Sequence, residues 1–212
     1  MKKTGQVRVP EDCKTLEEAV DMVRAIDHMT TIVVGEGEYK IEGNLLKIVS
    51  AINIVGDPEV PKEKIVVVDG VEFNAGIQGN CHLQHLTLRQ ANNSGVYGRS
   101  SFTMEDVLVE QCGGSGVYAS GTGVVGRCTN VEVRQCGRSG VLASLGASIT
   151  LIGAKTTVHH NCTKGRAIYF GLQVHGSSTI QLVAPLTKEQ VSFANGGGGN
   201  LGAALGADIN QI

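Results

Sequence analysis

The chain has 212 residues, a length for one or two domains. Its 18 Lys and Arg against 20 Asp and Glu leave a net charge of −2, which removes any overall electrostatic case for nucleic acid or an anionic membrane. The apolar content of 42% excludes wholesale disorder, and the 29 glycines do not fall every third residue, which excludes collagen. With no Trp, four Phe and four Tyr, the core must be built from Val, Ile, Leu and Ala.

In chain order, the first six residues carry Lys2 and Lys3 with no apolar segment behind them. No signal peptide is visible, so an intracellular location is expected. No stretch reaches the ~18 apolar residues that span a bilayer, so no membrane span is expected. Residues 15–27 form one amphipathic helix: Thr15 and Glu18 make a capping box, and Leu16, Ala19, Val20, Val23 and Ile26 fall on one stripe. Short strands are expected at 31–34, running into Gly35-Glu36-Gly37-Glu38-Tyr39, and at 52–55, 65–68 and 179–183.

Between these the chain repeats itself. Segments 86–97, 107–118, 131–142 and 156–165 align without gaps, with start-to-start spacings of 21, 24 and 25 residues. Each holds a short alternating strand, a polar turn, and then Gly-Val-Tyr or Gly-Val-Leu, until the fourth loses the match near its end. A third alternating stretch closes each turn, at 101–105, 124–128 and 147–151. Three short strands per period, with β-branched residues inward, predict an all-β, single-stranded, right-handed parallel β-helix with an N-terminal capping helix. An open β-helix end exposes strand edges, and a helix laid over the first coil protects them. The β-helix is expected over residues 1–195, and 196–212, which holds four consecutive glycines, is expected to be a tail or cap.

Helix, strand, Gly-Glu-Gly-Glu-Tyr and glycine-punctuated repeats together resemble the right-handed parallel β-helix, or pectin-lyase-like, superfamily. The repeat form, with Cys or Asn ahead of a Ser-Gly-Val step, is similar to the β-helix regions of carbohydrate-binding and sugar-hydrolase proteins and of certain F-box proteins. The resemblance is architectural, and fold does not settle chemistry.

Stacked coils turn each repeat position into a column with rungs about 4.8 Å apart. Ala91, Cys112, Cys136 and Asn161 form a turn column, at a position where the resemblance implies an Asn ladder. Cys112 and Cys136 are close enough by Cα spacing for a disulfide. Without a Cys-x-x-Cys pair, however, all six cysteines (Cys13, Cys81, Cys112, Cys128, Cys136 and Cys162) read as reduced thiols, five of them in or near repeats. Arg89, Glu110, Arg134 and His159 form an outward column of alternating charge. Gln90, Gln111, Gln135 and His160 stand beside it at the sheet edge. Tyr97, Tyr118, Leu142 and Tyr169 form a third outward column, with Val96, Val117, Val141 and Ile168 inward. Asn161 heads a glycosylation sequon but belongs to the turn column, where a glycan does not fit.

The candidate binding residues are therefore Tyr97, Tyr118 and Tyr169 with Arg89, Glu110, Arg134 and His159. No catalytic residue, metal or cofactor is assigned. Polygalacturonase-like members are implied to need an Asp cluster with Gly-His-Gly and Arg-x-Lys, and neither segment is present. Pectate-lyase-like members hold Ca²⁺ on acidic clusters, and none is visible. Glu110 and Glu132 can pair across coils, but Arg89 and Arg134 would hold them ionised, which suits a general acid poorly. His159 and His160 adjoin in a strand and are expected to point to opposite faces. The leading reading is a non-catalytic scaffold that presents its ladders to a protein partner or to another copy of itself. The alternative is a polysaccharide-binding module or a carbohydrate-active lyase or hydrolase.

Overall fold

The computed structural model describes residues 5–26 and 28–212; residues 1–4, at the start of the basic segment, and Asp27, the expected end of the helix, lie outside the described residues. The chain winds as a parallel β-solenoid of about eight turns. One nine-stranded sheet makes the first face. A 12-stranded sheet bends over the second and third faces, continuous through the long strands Gly37–Ile48 and Ile65–Phe73. A representative coil runs Phe102–Glu105, Leu108–Glu110 and Val117–Ser120, one strand per face, before Val125–Thr129 begins the next.

The repeat alignment is the spatial register. Val109 pairs with Leu88 and Val133, and Val117 pairs with Val96 and Val141. All six are fully buried, so the interior is a set of aliphatic columns. Full burial of each such side chain contributes about 1.5–3 kcal/mol.

Two of the corners are turned by single residues in the left-handed region. His85, Asp106 and Asn130 (φ 53°, 51° and 52°) turn the first. Gln90, Gln111, Gln135 and His160 (φ 58°, 57°, 56° and 54°) turn the second. The Gln column thus marks a corner, where Gln111 Nε2 donates to Gln135 Oε1 at 3.4 Å. Inside that corner the thiols of Cys112 and Cys136 donate to the carbonyls of Glu110 and Arg134 (3.5 and 3.4 Å). Asn161 Nδ2 donates to Val133 O at 3.0 Å, and its Oδ1 accepts from Cys136 N at 3.0 Å. Asn195 adds a rung that the repeats did not reveal, donating to Val158 O at 3.0 Å. All six cysteines are free. The neighbouring Cys112 thiol, and then burial, push the Cys136 thiol up.

The helix spans Leu16–Ala25. Glu18 N donates to Thr15 Oγ1 at 3.1 Å, and Thr15 N donates back to the Glu18 carboxylate at 3.3 Å. It packs on strands Gln6–Val9, Thr31–Val34 and Gly37–Ile48 and covers that end of the solenoid. Ile26 does not join the buried stripe: it is extended (φ −116°) and 43% exposed, because the helix has ended. Thr15→Ala is expected to cost about 1 kcal/mol in urea unfolding, the usual worth of an N-cap, without changing the β signal in circular dichroism.

One expectation about the C-terminal third is corrected. Ile168 does not take the inward position below Val141: it is 56% exposed, and Leu172 pairs with Val141 instead. Residues 163–171 are a loop inserted at the second corner, which moves the fourth repeat out of register. The 196–212 segment, expected to be a tail or cap, adds strands to both sheets. The glycines make a tight turn, after which Leu201–Ala204 pairs with Leu172–His175 and Asp208–Gln211 with Thr179–Leu182. Gly198 and Gly202 both lie against the Phe170 ring, where a Cβ would sit 2.5 and 2.3 Å away, so glycine there serves close packing.

Candidate functional site

On the third face, the outward residues Glu72, Tyr97, Tyr118, Leu142 and Gln173 stand in register on five successive coils. Three of the four rungs expected in the Tyr column share this register, and Gln173 replaces Tyr169. The rings of Tyr97 and Tyr118 stack with centroids 4.8 Å apart and planes 16° from parallel. Stacked in this way they spend their faces on each other and turn edges and hydroxyls outward. The Tyr118 hydroxyl shares a 2.9 Å hydrogen bond with Ser144.

Tyr169 reaches the same place by another route. The inserted loop carries it over the corner, where the guanidinium groups of Arg138 and Arg166 lie 5.7 and 5.9 Å from its ring centroid. Gln173 anchors the loop by donating to Ile168 O at 2.9 Å, accepts a hydrogen bond from Ser139, and touches His175. Column and loop together enclose an open groove of about 660 Å³ along the solenoid axis, lined by all three candidate tyrosines. Ser94, Ser115 and Ser139, one from each repeat, form its polar side.

The cation lining the groove is Arg138, and Arg166 flanks it at the Tyr169 ring; neither has a carboxylate partner among the described residues. Glu72 is the single acidic lining residue and pairs with Arg99 at 3.5 Å.

The four charged candidates align on the second face, outside the groove. Glu110 pairs in register with Arg89 and Arg134, and Arg134 with His159. Their charges are turned on one another. Glu110 is 3% exposed and accepts from Arg89 Nε (2.7 Å) and from Arg134 Nε and Nη2 (2.9 and 2.8 Å). Burial by itself would raise its carboxyl; the hydrogen bonds and charges of Arg134 and Arg89 outweigh that and hold it below the ordinary range. Glu132 meets the same guanidinium at 2.9 Å, so Arg134 bridges the two carboxylates. His159 and His160 do not diverge as expected. The left-handed φ at His160 swings its ring back, and the two Nδ1 atoms approach to 2.7 Å.

The first face carries a shallower polar depression of about 540 Å³. There His82 bonds Thr103 (2.6 Å) and Gln84 (3.3 Å). At the neighbouring corner, His85 bonds Asp106 at 2.6 Å and Val60 O at 2.9 Å, while Lys62 pairs with Asp106 at 2.6 Å. Among the described residues no group of three or more His, Cys, Asp or Glu side chains is placed to hold a metal ion. No helix among them is long and apolar enough to cross a membrane.

Sequence reasoning missed Glu72, Arg138, Arg166, Gln173 and His175. The repeats do carry a signal for Arg138, which occupies the turn position held by Asn93 and Gly114 beside the serine column. Of the others, Glu72 precedes the first aligned repeat, Arg166 lies in the inserted loop, and Gln173 and His175 follow it, where the repeat match is lost.

No family model and no curated protein matches the chain. Among solved structures it is similar to the A-module of the Azotobacter vinelandii mannuronan C-5 epimerase AlgE6, with 12% identity over 92% of each chain and a TM-score of 0.32. A likeness at that level carries no argument about activity or site residues.

Proposed function

We propose that this chain is a non-catalytic binding module whose third-face groove holds an extended anionic polysaccharide along the solenoid axis. One observation carries the reading: a groove built from a tyrosine column is lined by Arg138, which shares the Tyr169 ring with Arg166, and neither guanidinium has a carboxylate partner among the described residues. Its polar groups recur once per coil, about 4.8 Å apart, close to the length of one pyranose ring. Tyrosine hydroxyls, serines, Gln173 and His175 offer the donors and acceptors that sugar hydroxyls need, and the guanidinium groups suit carboxylate or sulfate. A single acidic residue, already paired with Arg99, leaves the groove without two free carboxylates for glycoside chemistry.

The test is binding of acidic and neutral oligosaccharides by calorimetry after a glycan-array screen. Arg138→Glu is expected to weaken an acidic ligand at least tenfold, and Tyr118→Ala about tenfold. Added salt should weaken the parent in the same direction. A parent that retains no glycan, or an Arg138→Glu variant that binds as the parent does, overturns the reading. The scaffold reading has its own support in Ile168, an apolar side chain 56% exposed at the groove's rim. It predicts instead a co-purifying protein or self-association that Ile168→Asp abolishes.

A further inference from the structure

We propose that His159 and His160 form a two-nitrogen site for a divalent transition-metal ion, oriented by Glu132. The argument starts from hydrogen-bond chemistry. The Glu132 carboxylate is held by Arg134 Nη1 at 2.9 Å, and the same oxygen lies 3.2 Å from His159 Nε2. An ionised carboxylate only accepts, so Nε2 of His159 carries the proton, and in the neutral ring Nδ1 is then a bare lone pair. That lone pair faces Nδ1 of His160 at 2.7 Å, with one proton between them. Two imidazole nitrogens converge, and the second nitrogen of one is tied to a carboxylate. This is the arrangement by which metal-binding histidines are oriented and made more basic.

With metal–nitrogen bonds of about 2.0–2.1 Å, two ligands on one ion stand about 3 Å or slightly more apart, so the two rings, 87° from parallel, must open slightly and turn until both Nδ1 lone pairs point at the ion instead of at each other. The His160 proton moves to its outer Nε2 through solvent, and water fills the remaining positions. His160 is exposed, which leaves an entry path, while His159 is stacked on Phe193 with centroids 5.0 Å apart and planes 10° from parallel. The positive charge of Arg134 is already met by Glu110 and Glu132. Imidazole pairs of this kind favour Cu²⁺ over Ni²⁺ and Zn²⁺. Among the other histidines, His82 and His85 have both ring nitrogens engaged and His175 is bonded to Gln173, while the exposed His28 offers a single imidazole and so at most one nitrogen. The site lies on the second face, apart from the groove, and does not rest on the polysaccharide reading.

The experiment adds one equivalent of Cu²⁺ to the full chain near neutral pH and records its paramagnetic resonance, with calorimetry for affinity. The parent is expected to show two coordinated nitrogens. His160→Asn keeps a residue that tolerates the left-handed backbone, so it should fold as the parent does and lose at least tenfold in affinity. Glu132→Gln should lose about tenfold with both nitrogens retained. A parent spectrum with one nitrogen or none overturns the site, as does a folded His160→Asn variant with unchanged affinity and spectrum.

Discussion

Gly116→Ala is expected to destabilise the solenoid by about 3 kcal/mol or more, seen as a lower midpoint in urea unfolding. Gly116 lies just before the third-face strand Val117–Ser120, where successive coils approach closely. A Cβ there would sit 2.2 Å from Val133 Cγ1 and 2.8 Å from the carbonyl oxygen of Gly140. Neither neighbour can yield. Val133 is fully buried in an aliphatic column, and the carbonyl of Gly140 accepts the amide of Val117 at 2.9 Å. The equivalent glycines, Gly95 and Gly140, are crowded in the same way, which is why the Gly-Val step recurs in the repeats. Gly123→Ala is the control. It has φ +78° and nothing within 4 Å of the position an added methyl would take, so only the left-handed backbone opposes it, at about 1–2 kcal/mol. Equal losses in the two variants would refute the close-packing account.

Glu110→Ala is the second large effect, expected at about 3 kcal/mol, because it strips the shared acceptor from two arginines over the second face. Glu110→Gln should cost less, since it keeps one acceptor. The pH dependence has a definite sign. The folded carboxyl titrates below its ordinary value of 4.5. Its contribution is therefore complete above that value and is lost as the pH falls through the lower, folded value. The stability gap between the parent and Glu110→Gln should hold steady from neutral pH to about 5 and shrink below 4.5. High salt should leave most of the gap in place, because Glu110 is buried. The exposed pair Lys64–Glu36, at 3.2 Å with both side chains 60% exposed, should by contrast be screened. A gap that does not change between neutral and strongly acid pH would contradict the clamp.

The repeat columns were legible because a solenoid converts sequence period directly into space. Once 86–97, 107–118 and 131–142 align, Val96, Val117 and Val141 can only stack, and Tyr97 and Tyr118 follow on the outside. The same logic placed Arg89, Glu110, Arg134 and His159 in one row. It failed where chain was inserted. The loop at 163–171 lengthens one corner without altering the strand pattern on either side, so the repeat period alone assigns Ile168 and Tyr169 to rungs that belong to Leu172 and Gln173. Alternation misled at His160 for a related reason: the rule holds within a strand, and His160 is the corner residue that ends one.

From its sequence alone this protein determines a parallel β-solenoid, its inward columns and most of its outward ones, because each follows from a local period of two nested in a period of 21 to 25, and its capping helix, which follows from a capping box and an apolar stripe of helical period. Tertiary structure alone decided which outward groups are free. The arginines expected beside Glu110 bury it and use up its acceptors, and Arg138 and Arg166 were left to share one tyrosine. It also decided that the loop would wall a groove and that His159 and His160 would meet. Those outcomes depend on where side chains from different coils end their reach and on a single left-handed residue, distances that a one-dimensional period does not encode.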